Sequence, residues 1–182
     1  MAKCESDVGT EAVVRQFEVS PAFEIELPSD RIFCTMKECA DRFFRGNAKP
    51  YGDKIGCYVF SLRTGRGSKP YYVGSTVSSF KGEVFQYHKI LDHYQQVVKR
   101  HKGTPTMTFV SLVKNGRGRP PESVIGELEQ YLIWKAYKRN KDLSNKKDLP
   151  KTRWAIKGVV GQQDGRGAPP KPAAEFKRLF GF

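Results

Sequence analysis

The sequence predicts an α+β domain, within the broad α/β class, in which a small central antiparallel β-sheet is flanked by helices. Two observations support this prediction. Runs of β-forming residues between positions 17 and 113 are separated by glycine-rich turns, and the stretches 79–98 and 122–139 repeat apolar residues every three or four positions. A chain of 182 residues can also bury a core without disulfides or a structural metal. We therefore expect it to fold on its own.

Residues 1–54 form a predicted N-terminal extension of strand and helix. Within it, residues 17–27 mostly alternate apolar and polar side chains with an interruption at Pro21. This pattern predicts one or two short strands, which are acidic and should pack on the basic remainder of the chain. Residues 33–45 place apolar side chains at helical spacing and are followed by Gly46, so we expect a helix there.

Residues 55–147 form the predicted core of the protein. Five segments of it have strand or helix periodicity. They are, in chain order, strands at 55–62 and 71–74 joined by the turn Gly65–Ser68, a helix at 79–98, a strand at 106–113 and a helix at 122–139. Residues 148–182 are basic and rich in glycine and proline, and they predict a C-terminal appendage with a short final helix near residues 173–180.

Charge is unevenly distributed along the chain. The 32 lysines and arginines against 19 acidic residues give a net charge of +13. Residues 1–30 alone carry −5, so residues 31–182 carry +18. A field of that sign attracts polyanions, and neutralisation of phosphates dominates the affinity of proteins for nucleic acids. A nucleic acid is therefore the predicted partner, and a merely solubilising surface is the alternative.

Several classes of protein are excluded by the sequence. No apolar run approaches the roughly 20 residues of a membrane span, and the N-terminus lacks the apolar segment of a secretory signal. The cysteines are irregularly spaced without a C-x-x-C pair, and the histidines lack metal-site spacing. We therefore expect free thiols, no structural zinc, no membrane partner and a cytoplasmic location. The cysteines are Cys4, Cys34, Cys39 and Cys57.

Four short motifs occur in an order that is typical of a nuclease family. They are Gly56-Cys57-Tyr58, Tyr72-Val73-Gly74-Ser75-Thr76, the helical segment 128–133 that contains Glu129, and the segment 143–146 that contains Asn145. In these motifs the chain resembles the GIY-YIG nuclease family over residues 55–147, about half of its length. The resemblance implies an endonuclease that hydrolyses phosphodiester bonds in DNA at a single site, with Mg²⁺ or Mn²⁺ as cofactor.

The resemblance also implies a role for each motif residue. Tyr58 would position or deprotonate the attacking water, and Tyr72 would hold that water or the scissile phosphate. Glu129 would bind the metal, because it lies at the edge of the apolar stripe of its helix while Glu127 projects away. Asn145 would donate to the phosphate or to the water shell of the metal. The structural alternatives are core tyrosines, a glutamate paired with a basic residue, and an ordinary loop turn.

The sequence departs from the family at the position of its phosphate-binding arginine. Matching the apolar stripe places that arginine at Glu83, whose charge repels phosphate. Lys81 and His88, seven residues apart and on one face of the predicted helix, are the replacements we expect. Tyr71, which the family pattern leaves without a role, should point to the face opposite Tyr72 by strand alternation.

Basic loops provide the predicted contacts with nucleic acid. Gly-Arg-Gly occurs three times, and it combines an accessible backbone with the donor fork of arginine. Residues 117–120 also match the core of the A/T-hook peptide, so insertion into the minor groove and contact with phosphates alone are both open. The predicted nucleic-acid-binding residues are Arg63, Arg66, Arg117 and Arg119.

Three functional hypotheses remain open. The first is the DNA endonuclease, and the second is a catalytically impaired GIY-YIG-fold module that binds nucleic acid without cutting it. The third is a structural basic protein associated with RNA, although duplex DNA is the preferred partner. The target, the number of strands cut and the oligomeric state, with a homodimer among the alternatives, are not determined by the sequence.

Overall fold

The computed structural model describes residues 15–113 and 122–148, together with Pro172. The chain divides into two units, Met1–Leu149 and Pro150–Phe182, and all elements with described bounds belong to the first. The predicted basic loop that contains Arg117 and Arg119 lies outside the described residues, as does nearly all of the predicted C-terminal appendage.

Five antiparallel strands form one sheet, which confirms the predicted α+β fold with a central antiparallel sheet flanked by helices. The strand order is β1-β5-β3-β4, and β2 also pairs with β5. The strands are β1 (Phe17–Val19), β2 (Phe23–Glu24), β3 (Gly56–Thr64), β4 (Gly67–Thr76) and β5 (Thr104–Leu112).

The acidic N-terminal segment forms two short strands, as predicted, and both pair with β5 in the sheet. Pro21 lies between them. Lys54 Nζ donates to Glu18 Oε1 at 2.6 Å, and Arg63 forms an ion pair with Glu24. The hydrogen bond and the charge of Lys54 lower the pKa of Glu18 below its usual value. Opposite charges therefore join each of the two acidic strands to a basic residue outside them.

Helices cover both faces of the sheet. On one face lie α1 (Met36–Phe43), α2 (Phe80–Glu83), α3 (Tyr87–Lys89), a π-helical turn (Ile90–Tyr94) and α4 (Gln95–Arg100), and on the other lies α5 (Glu122–Arg139). The first face is largely aromatic, with the Phe80 and Phe109 ring centroids 4.5 Å apart. Across the described residues, no helix is both long and apolar enough to cross a membrane.

The prediction of a single helix over residues 79–98 is wrong, because the helix is interrupted between α2 and α3. Gln86 has an extended backbone with ψ of 145°. The carbonyl of Val84 accepts a hydrogen bond from Tyr94 Oη at 2.9 Å instead of from a backbone N–H one helical turn later. The two residues predicted to replace the family arginine lie on either side of this break, so they do not share a helix face.

A β-bulge in β4 reverses the expected direction of one tyrosine. Phe60 lies opposite Tyr72, and the next residue of β3 lies opposite Pro70, so Tyr71 is the extra residue. Its ring packs on His101 with centroids 4.7 Å apart, in the same core cluster as Tyr72. The prediction that Tyr71 points to the opposite face is therefore wrong, because strict alternation does not hold at a bulge.

The chain after α5 runs along the outer edge of β4. The backbone oxygens of Pro70 and Tyr71 accept hydrogen bonds from Asn140 Nδ2 and Ser144 N, each at 2.7 Å. Residues 140–145 thus hydrogen-bond to backbone groups on the outer edge of β4, where no described strand pairs with it. This segment also fixes the position of the β4 residues that follow the bulge.

Candidate active site

The two motif tyrosines lie on the same face of the β3–β4 hairpin. The ring centroids of Tyr58 and Tyr72 are 6.2 Å apart, and their exposed fractions are 0% and 8%. Gly74 lies opposite Tyr58, and a Cβ there would lie 2.5 Å from Tyr58 Oη. Gly56 has φ of 135°, and a Cβ there would overlap the Val110 carbonyl. The backbone therefore requires glycine at position 56, and the position of the Tyr58 ring favours glycine at position 74.

The hydroxyl of Tyr58 is buried and has no hydrogen-bond partner among the described residues. Leaving a buried polar group unsatisfied costs roughly 1–3 kcal/mol. Burial, together with the neighbouring phenols of Tyr94 and Tyr72, raises the pKa of Tyr58 well above its usual value. Burial and the Glu129 carboxylate raise the pKa of Tyr72 to about 12. Both phenols are therefore protonated at neutral pH and suited to donate hydrogen bonds, not to remove protons.

A buried lysine faces these tyrosines. Lys89 is 5% exposed, and its Nζ lies 5.3 Å from the centroid of the Tyr58 ring. The same ammonium forms an ion pair with the Glu83 carboxylate and donates to the Glu83 backbone oxygen at 3.3 Å. A buried charge requires a partner of this kind. Lys89 therefore brings a positive charge into the core beside the phenols, and Glu83 balances it.

His93 lies four residues after Lys89, within the π-helical turn. Its ring packs on Tyr72 with centroids 4.5 Å apart, and its Nδ1 lies 2.6 Å from Ser144 Oγ. Single π-helical turns occur frequently at functional sites. Residues four apart share one side of a helix, so the sequence relates Lys89 to His93, but it does not show that the pair reaches the tyrosines. We call Tyr58, Tyr72, Lys89 and His93 the phenol cluster.

Glu129 lies on the α5 side of the same hairpin. Its Oε2 accepts a hydrogen bond from Ser75 Oγ at 2.8 Å, and Ser75 is on the face opposite Tyr72. Burial raises the pKa of Glu129, while the Ser75 hydrogen bond and the Lys89 ammonium partly offset that rise. Glu127 is exposed, as predicted. Glu129 therefore interacts electrostatically with the phenol cluster, although it approaches from the other face of the sheet.

The oxygen donors at Glu129 fit a hard divalent cation that keeps most of its water. They are one carboxylate and the neighbouring Ser75 hydroxyl. Mg²⁺ is usually held by one or two carboxylates and retains several waters. Within residues 15–113 and 122–148, no group of three or more histidine, cysteine, aspartate or glutamate side chains could hold a metal ion.

Asn145 is buried and uses its amide on the backbone of β4. Its Nδ2 donates to the Val73 oxygen at 2.7 Å, and its Oδ1 accepts from the Val73 N–H at 3.4 Å. The sequence predicted a contact with phosphate or with the water shell of a metal. These bonds make Asn145 a positioning residue for the strand that carries Tyr72, and the contact with phosphate or with a metal's water shell stays a prediction.

The other predicted site residues lie away from the phenol cluster. Lys81 is exposed and pairs with Asp41 at 3.5 Å, and His88 is exposed. Among the described residues, neither makes a hydrogen bond or ion pair with the cluster. Arg63 and Arg66 lie near the turn of the hairpin, and Arg63 is five strand residues, or about 17 Å, beyond the tyrosine of β3.

The solvent side of α5 carries exposed aromatic and basic side chains. Tyr131 and Trp134 are 52% and 37% exposed, and their ring centroids are 6.2 Å apart. Lys138 Nζ lies 3.9 Å from the centroid of the Trp134 ring, and Lys135 Nζ lies 5.1 Å from it. We call Tyr131, Trp134, Lys135 and Lys138 the α5 stripe. It is separate from the half-buried Glu129 on the same helix.

Comparisons with protein-family models, with curated proteins and with solved structures found no match to this chain. The resemblance to the GIY-YIG nucleases therefore stays a prediction from four short motifs.

Proposed function

We propose that this chain is a metal-dependent endonuclease that hydrolyses phosphodiester bonds in DNA. The observation that carries the proposal is the phenol cluster, which brings two protonated phenols, an ammonium and an imidazole together, and which interacts electrostatically with the half-buried Glu129 carboxylate on the other face of the sheet. Phosphodiester hydrolysis requires activation of water and neutralisation of the oxygens that gain charge. These side chains include the hydrogen-bond donors, the positive charge and the proton acceptor that such a reaction needs.

The metal in this proposal is bound by Glu129. A Mg²⁺ or Mn²⁺ ion held there would supply positive charge at the phosphate oxygens. Ser75, which already donates to this carboxylate, would fix its orientation.

The protein side chains bind the phosphate and move the proton. Lys89 supplies a positive charge to the phosphate, the role that the sequence assigned to Lys81 or His88. The phenol of Tyr72 donates a hydrogen bond to the phosphate or to the attacking water, since its raised pKa keeps it protonated. His93, oriented by its contact with Ser144 Oγ, is the group of the cluster best suited to accept the proton of that water.

One observation favours a second candidate, the nucleic-acid-binding module without chemistry. Glu83 already neutralises Lys89, so phosphate must displace a carboxylate to reach the ammonium. Nicking of supercoiled plasmid with Mg²⁺ or Mn²⁺ separates the two candidates. Cleavage that requires the ion supports the endonuclease, whereas binding without cleavage under both ions supports the module.

Tyr58→Phe distinguishes a catalytic phenol from a core tyrosine. The change removes a buried hydroxyl without a partner and keeps the ring, so we expect the free energy of unfolding to stay constant or rise by about 1 kcal/mol. If Tyr58, like Tyr72, donates a hydrogen bond to the phosphate or to the attacking water, cleavage should fall by at least about 100-fold. Urea unfolding and plasmid nicking are measured on the same preparation, with Tyr71→Phe as the matched control that retains activity. Unchanged cleavage by Tyr58→Phe would remove this phenol from the mechanism.

The α5 stripe supports a nucleic acid as the partner. Bases stack on exposed aromatic rings, and nearby lysines contact the phosphates between them. Replacing Lys135 and Lys138 together with glutamine should weaken DNA binding and reduce the slope of log affinity against log salt by about 2. Fluorescence anisotropy with a labelled duplex measures both quantities. The exposed pair Lys37 and Lys49, changed in the same way, lowers the net charge equally and should leave the slope nearly unchanged.

A further inference from the structure

Two cysteines are in direct contact at the beginning of α1. Cys34 Sγ and Cys39 Sγ lie 2.7 Å apart. Non-bonded heavy atoms in contact usually lie about 3.5–4.0 Å apart, and the sulfurs of a disulfide lie about 2.0 Å apart. A further approach of about 0.7 Å would therefore bring these sulfurs to bonding distance.

The N-terminal cap of α1 produces this contact. Thr35 is the N-cap, its Oγ1 accepts from the Glu38 N–H at 3.4 Å, and Glu38 Oε2 accepts from the Thr35 N–H at 3.2 Å. This capping box places Cys34, the residue before the cap, against Cys39, the fourth residue after the cap. Many helices carry a contacting pair of apolar side chains at these two positions. In this chain both positions of that pair are cysteines, so local backbone geometry holds the two thiols together.

A small oxidant can reach the pair from one side. Cys34 is half-buried and Cys39 is buried, and both line a cavity of about 440 Å³ together with Phe23, Arg42 and Phe43. Cys34 is the more exposed of the two sulfurs, and burial raises the pKa of Cys39 to about 12, so Cys34 is placed to meet the oxidant first. Cys57 differs from both, because it is fully buried and its Sγ lies against the Ile125 backbone oxygen.

We propose that Cys34 and Cys39 form a modification site for peroxides, which convert the pair into a reversible disulfide. The Cys34 thiolate attacks one peroxide oxygen, so an S–O bond forms, the O–O bond breaks and the leaving oxygen departs as water after protonation. The Cys39 sulfur then attacks the Cys34 sulfur, which forms the S–S bond and releases the oxygen, with the Cys39 proton, as a second water. The two thiols lose two electrons and one hydrogen peroxide is reduced to two waters.

The test uses the folded 182-residue chain with Cys4→Ser, so that only three cysteines remain. Hydrogen peroxide should lower the intact mass by two hydrogens, and peptide mapping should link Cys34 to Cys39 while Cys57 stays reduced. Dithiothreitol should restore the original mass. Cys34→Ser and Cys39→Ser should each abolish the mass loss.

Two results would overturn the proposal. One is a Cys34 that stays reduced or gains oxygen without linking to Cys39. The other is a linkage that forms as fast in urea as in the folded protein, since the capping geometry should accelerate it only in the fold. Thr35→Ala, which removes the cap hydroxyl and keeps both thiols, should slow the linkage in the folded protein.

Discussion

Glu129→Gln is expected to reduce the rate of cleavage by at least about 100-fold, while the affinity for DNA stays within a factor of a few. The glutamine has the shape of the native side chain, and its amide oxygen can still accept from Ser75 Oγ, so the fold should be retained. It carries no charge, however, and cannot hold a divalent cation as a carboxylate does. Plasmid nicking across a Mg²⁺ titration, with anisotropy for binding, measures both effects.

Glu127→Gln is the matched control for this experiment. It makes the same chemical change on the exposed side of the same helix, and it should cut like the parent protein. Full activity in Glu129→Gln would exclude Glu129 as the metal ligand and with it the proposed metal site.

The raised pKa of Glu129 adds a pH dependence to the first expected result. Only the ionised carboxylate binds the metal, and burial shifts ionisation to higher pH than usual for a glutamate. Cleavage by the parent protein should therefore increase as the pH rises through this pKa and decrease as the pH falls through it. In the acidic limb, higher Mg²⁺ should partly restore activity, because the metal competes with the proton.

Lys89→Met is expected to reduce cleavage by about 100-fold to 1,000-fold, because it removes the positive charge beside the phenols. Methionine fills much of the space of the lysine stem, but the single variant leaves the Glu83 carboxylate without its partner. Part of any loss could then arise from destabilisation. The double variant Lys89→Met with Glu83→Gln removes both charges and separates the two causes.

The double variant should unfold at nearly the same urea concentration as the parent and still fail to cut. Lys81→Met and His88→Ala are the controls, and both should retain activity, because these exposed side chains do not contact the phenol cluster. If the double variant cuts normally, Lys89 has no role in the reaction. If Lys81→Met or His88→Ala is inactive instead, that residue takes the place of the family arginine, as the sequence predicted.

The sequence was sufficient for those elements that local patterns determine. The alternation of β formers around Gly65 and the apolar stripe of residues 122–139 predicted the hairpin and α5 correctly. The break at Gln86 was missed because it depends on the Tyr94 hydroxyl, which replaces a backbone donor at a helical carbonyl. The bulge at Tyr71 had a visible signal, since the preceding residue is proline and prolines within strands often mark bulges.

The candidate site was predictable only in part, because local sequence patterns determine the positions of some of its residues and tertiary packing determines the others. Tyr58, Tyr72 and Glu129 belong to sequence motifs whose spacing is set within strands and a helix. Lys89 and His93 reach the phenols through a break and a π-helical turn, neither of which changes the apolar periodicity of the segment. Their part in the cluster is a product of tertiary packing.

The segment 140–145 also affects how copies of this protein behave when crowded. A second copy that added a strand to β4 would first have to break the hydrogen bonds at Pro70, Tyr71 and Val73. At the other edge, β1 and β2 contain three and two residues, too few to act as a long template. If this protein binds DNA as proposed, its charge of +13 would gather many copies along one polyanion. Under those conditions, blocked sheet edges protect neighbouring molecules from aggregating strand to strand.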